Sequence, residues 1–222
     1  FEEAPFALGP FGTRAHAMAA RDAVTRAFAG PDDVLRRAGR LPHGVEEEAG
    51  AALIGSTPVV ADALSSLMSD SAALDRFEEA ASIRSELGAY LAGLDRRRRI
   101  VPLALARLAI WAIHRDEGGW EIHAASWGRH FSSVVTPPRT MPTPWIEEIL
   151  AAGGDPRPGV LLGSSRWSEA SVLAHSLDSP QARLVHWDGG LPRGESPFSP
   201  LSRTRLLALI SEAESAHPRF IR

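Results

Sequence analysis

Residues 163–170, Gly-Ser-Ser-Arg-Trp-Ser-Glu-Ala, follow the apolar run Val160, Leu161, Leu162 and lead into a helix-like stretch. A strand, a sharp turn and a helix start in that order can present a nucleophile, cradle an anion, or only turn a corner. The nucleophile reading needs Gly-x-Ser-x-Gly, because the serine takes a strained conformation and the backbone must approach closely on both sides. Gly163 and Ser165 supply the first half, but Trp167 stands where the second glycine belongs. Asp188 lies at the end of the next strand-like run and His217 near the end of the chain. Ser165, Asp188 and His217 therefore fall in an order that one class of serine hydrolases uses, and they are the catalytic candidates of a hydrolase reading.

The anion reading asks for less. Amide groups opening onto a helix N-terminus attract anions, and the Ser164 and Ser165 hydroxyls with Arg166 would add donors. The three spaced glycines of a dinucleotide fingerprint are absent. Capping of the helix by Ser164 or Ser165 explains the same residues without any ligand. Residues 160–163 and 182–187 read as strands joined by a helix, which implies a right-handed crossover and a parallel pair. Ligands then sit beyond the C-terminal strand ends. That places the ligand-binding candidates at Ser164, Ser165, Arg166, Trp187, Asp188 and Arg193, with the Gly/Pro-rich loop 189–200 as a cover.

His114, His123 and His130, with Glu117 and Glu121, gather around a hairpin-like stretch, and Glu121 and His123 share a strand face. No spacing among them matches a metal signature such as His-Glu-x-x-His, so ordinary surface histidines are the preferred reading and no metal or other cofactor is expected. All six tryptophans, at 111, 120, 127, 145, 167 and 187, lie in one window, and the first 110 residues have none. A small sheet needs bulky core residues, and most of the six fit that role; Trp127 in a turn and Trp187 at a strand end are expected to be partly exposed.

Several chemistries are excluded outright. The chain has no Cys, so there is no thiol nucleophile, thiolate zinc site or disulfide, and the compartment stays undetermined with the cytoplasm favoured. It also has no Lys: all 24 basic residues are Arg, which removes the P-loop lysine and Schiff-base chemistry. Net charge is −3, with 14 Arg against 17 acids in residues 1–117 and 10 of each in residues 118–222. Neither part has the basic excess of a nucleic-acid binder. No apolar stretch is long enough to span a bilayer, and no signal peptide is visible. The chain opens on Phe1, not Met, which points to a fragment or processed chain.

The elements that must position these residues divide into two parts. Residues 1–117 read as helical almost throughout. Thr13 caps a helix carrying Ala17, Ala20, Val24 and Phe28; a short helix covers 32–38; Glu46, Glu47 and Glu48 open another. Thr57 and Pro58 start the next, and the spacing of Leu74, Phe77, Ala81, Leu87, Leu91 and Leu94 predicts one packed helix over 71–97. The arginine run 96–99 would be its solvated end. Residues 100–114 are apolar on nearly all faces, which predicts the central helix of a bundle. Gly118 and Gly119 mark a joint, after which 120–126 and 130–135 form a hairpin, 145–152 a helix, and 199–210 a last helix.

The fold expected is α+β with an α/β-like C-terminal part: a helical N-terminal bundle packed on a small mixed sheet containing one βαβ unit, in parts 1–117 and 118–222 or as one integrated domain. The function expected is a soluble, non-catalytic binding or interaction domain. Its partner would be a protein or the rest of a larger polypeptide, with neither nucleic acid nor membrane. An enzyme or sensor for a nucleotide or other anionic small molecule is the first alternative, the hydrolase the second.

Overall fold

The computed structural model describes residues 8–29, 41–154 and 164–189, without the side chains of 164–166. The chain is α+β: helices fill the N-terminal part and a four-stranded sheet follows. It separates into two compact units, and the chain passes from one to the other between Arg97 and Arg98.

The first unit is helical. Helix α1 (Arg14–Ala29) starts where Thr13 Oγ1 accepts the His16 N–H at 3.2 Å, and it buries Ala20, Ala23 and Val24. Helix α2 (Glu46–Leu53) places three acids in its first turn, where they complement the helix dipole. It ends at Gly55, whose φ of 76° lets Gly55 and Ser56 donate back to Ala52 and Ala51. Helix α3 (Val59–Ala73) begins one residue later than expected, with Pro58 as its cap. Helix α4 (Phe77–Leu105) is the longest. Val60, Leu64, Ile83, Leu87, Leu91 and Leu94 form the core with small residues of α1 and α2.

Two expectations fail here. The helix predicted over 71–97 is broken at Leu74–Arg76. Asp75 takes a left-handed φ of 57°, and the Asp75 and Arg76 amides donate to Ala72 and Ser71, closing α3 as glycine usually does. Leu74 and Phe77, expected on a buried stripe, are 62% and 57% exposed in consequence. The arginine run is not a solvated helix end either, because α4 continues to Leu105. Arg97 is buried, and burial pushes the Arg98 guanidinium below the usual arginine range.

The second unit is built on a sheet of order β3-β2-β1-β4. Residues 100–114 are not one helix: α4 ends at Leu105 and strand β1 (Leu108–His114) follows. A central strand buried on both faces reads as an unbroken apolar run, which periodicity cannot separate from a buried helix. Strands β2 (Trp120–Ser126) and β3 (Arg129–Val135) form the expected hairpin. Its two turn residues, Trp127 and Gly128, have φ of 52° and 72°, the positive values of a turn whose twist matches the strands. Helix α5 (Thr143–Ala152) ends at Gly153, and helix α6 (Ser164–Leu177) leads to strand β4 (Ala182–Asp188).

Alternation along β1 sends its side chains to two cores. Leu108, Ile110 and Ala112 meet Ile122, Ala124 and α5 residues Trp145, Ile146 and Ile149 on one face. Ala109 and Trp111 meet Ala170, Leu173 and Ala174 of α6 on the other, with Ile100 and Leu103 from the end of α4. The sheet is not mixed among the described residues: β1 pairs antiparallel with both β2 and β4, and β2 antiparallel with β3. The first strand of the expected βαβ unit, 160–163, lies outside the described residues, as do the expected helices at 32–38 and 199–210. No helix among the described residues is long and apolar enough to cross a membrane.

Candidate functional site

One end of the sheet holds two of the residues that the sequence singled out, Trp187 and Asp188. The start of β1, the ends of β2 and β4 and the start of β3 meet there, with Leu108 opposite Asp188 and Ser126 opposite Arg129. The turn from α4 into β1, residues 104–107, is held from several sides. The Trp127 N–H donates to the Ala106 carbonyl at 2.7 Å, and the Ser126 hydroxyl donates to the Arg107 carbonyl at 2.7 Å. Three glycines pack against the same turn. A Cβ on Gly128 would lie 3.0 Å from the Ala104 Cα, one on Gly189 2.7 Å from the Ala106 Cα, and one on Gly154 2.4 Å from the Arg107 carbonyl oxygen. A side chain at Gly189 or Gly154 would force this backbone to shift, and one at Gly128 would press on Ala104.

This backbone scaffold aims the Arg107 side chain at Asp188, whose Oδ2 accepts from Arg107 Nε at 2.6 Å and also meets Nη2. The two side chains are 53% and 38% exposed, so solvent screening leaves the pair about 0–1 kcal/mol of stability. Chemically the corner offers a carboxylate already neutralised by a guanidinium. Trp187 packs against the α6 core, yet its Nε1–H is buried and meets no acceptor among the described residues.

Of the six ligand-binding candidates, only Trp187 and Asp188 have described side chains: Asp188 pairs with Arg107, a cation that sequence reasoning missed, and Trp187 packs on the α6 side of the sheet. Arg107 interrupts an apolar run and is separated from Asp188 by 81 residues; only a strand register links them. Ser164, Ser165 and Arg166 form the first turn of α6. Their side chains, Arg193 and His217 lie outside the described residues, so of Ser165, Asp188 and His217 only Asp188 has a described side chain. The parallel partner expected for β4, residues 160–163, lies outside the described residues, and the neighbour that is described, β1, runs antiparallel to it.

The histidines divide. His123 Nε2 lies 3.1 Å from Glu121 on the shared strand face, and its ring stacks on Trp111 with centroids 5.4 Å apart. His114 instead meets Trp120 edge-on. No group of three metal-ligating side chains forms among the described residues.

The second feature is β4 itself. Among the described residues it is an edge strand, and its register against β1 shifts between Ile110 and Trp111, which leaves Val185 without a partner on β1. Leu184 and Val185 are 56% and 43% exposed, and Val172 on α6 is 71% exposed. No protein-family model, curated protein or solved structure matches this chain. Any functional reading rests on these residues alone.

Proposed function

We propose that this chain is a non-catalytic binding domain. In this reading β4 receives an extended segment of a protein partner, or of the larger polypeptide to which it belongs, along its outer edge. The supporting observation is the exposure of Leu184 and Val185 on a strand that is at the sheet's edge among the described residues and whose inner neighbour β1 is almost wholly buried. A strand edge offers main-chain donors and acceptors for affinity, and alternate side chains for specificity. The bulge at Val185 and the charge of Arg183 shorten the run open to pairing, as edge strands commonly do against indiscriminate association. The contact is accordingly small, of the transient class below about 1,200 Å².

A displayed library of random peptides panned on the full chain tests this reading, followed by calorimetry of the enriched peptides on wild type and on the double variant Leu184→Lys, Val185→Lys. We expect binding at least ~10-fold weaker on the variant, a loss of about 1.4 kcal/mol, with an unchanged melting temperature. No enrichment, or equal binding to both proteins, overturns it.

A second reading, an enzyme or sensor for a nucleotide or other anionic small molecule, draws support from two neighbouring residues of β4: Trp187, whose buried Nε1–H meets no acceptor among the described residues, and Asp188, which is paired with Arg107. Titration with nucleotides and sugar phosphates, followed by Trp fluorescence, would then give a saturable change that is lost in Arg107→Ala. A flat response across the panel removes this reading.

A further inference from the structure

We draw no further inference here: the strongest candidate, the outer edge of β4 with exposed Leu184 and Val185, belongs to the site already described, and nothing in the structure shows which chain covers it.

Discussion

The two units use their polar side chains differently. In the helical unit, long side chains are answered from far along the sequence and close the core. Arg26 grips Glu86 through two bonds of 2.7 and 2.8 Å, the Tyr90 hydroxyl donates to the Ala52 carbonyl at 2.8 Å, and Arg96 donates to the Pro10 carbonyl at 2.9 Å. In the sheet unit Trp111 Nε1–H is answered in the same way by Ser176 at 3.1 Å, but other groups are not. The Arg107–Asp188 pair is half in water, the Trp187 N–H is unmet among the described residues, and two apolar side chains stand out from β4. Buried polar groups that are fully satisfied fix one packing, whereas rim groups remain available to something else. That contrast is why we assign recognition to the sheet and support to the helices. It also supplies separate reporters, since all six tryptophans lie at or beyond residue 111 and the single tyrosine is Tyr90.

The largest expected effect attacks the helical side of the contrast. Glu86 is 11% and Arg26 12% exposed, and Ser82 adds a third bond to the carboxylate. The hydrogen bonds it donates to Glu86 hold the Arg26 guanidinium above the usual arginine range, so it stays charged at any working pH. Glu86→Ala strands that charge and should cost about 3 kcal/mol, measured as a lower urea midpoint by helical circular dichroism. Replacing both partners with apolar residues, Arg26→Met with Glu86→Leu, should recover most of the loss. A single variant as stable as wild type would mean that water already reaches the pair, and the contrast between closed core and open rim would fail.

Glycines sharpen the comparison at intermediate size. Gly154→Ala drives a methyl group against the Arg107 carbonyl and should destabilise by about 1–3 kcal/mol. Gly88 lies inside α4, and a Cβ there meets nothing within 4 Å. Gly88→Ala should therefore stabilise by about 0.5–1 kcal/mol through helix propensity. Opposite signs in paired denaturant curves support a turn at 104–107 that three loops hold in place. Equal signs would show that the loop at Gly154 yields.

How much of this was legible in the sequence follows the range of the interactions involved. Thr13, the acids at 46–48 and the Trp127–Gly128 turn act within a few residues, and the elements they open or close stand where expected. The α+β class was legible for the same reason. Asp75 was not, because an aspartate in the left-handed region looks like any other residue of an amphipathic stripe. Strand β1 was missed because burial on both faces erases the alternation that marks a strand. The site suffered most. Trp187 and Asp188 were singled out from a pairing with residues 160–163, which lie outside the described residues; the partner that Asp188 does have, Arg107, is brought up by the antiparallel register of β1 and β4. Arg107 carries no local signal at all.

The smallest expected effect concerns Tyr90. Burial pushes its phenol above the usual tyrosine range, and the hydroxyl is engaged with Ala52. In the unfolded chain the phenol ionises near its ordinary value of about 10. Below that pH both states keep the proton, so its contribution is fully present. Above it the unfolded state binds fewer protons than the folded one, and stability must fall as pH rises. Wild type should thus lose stability between about pH 10 and about pH 12. Tyr90→Phe should start about 1 kcal/mol lower at neutral pH, for the lost hydrogen bond, and lack Tyr90's share of that alkaline decline. Tyrosinate absorbance distinguishes the causes: it should stay flat in the folded protein and rise only as the helices unfold. A smooth titration near the ordinary value, with the fold intact, would mean that solvent enters the α2–α4 contact, and the helical unit would no longer be the closed partner in the comparison.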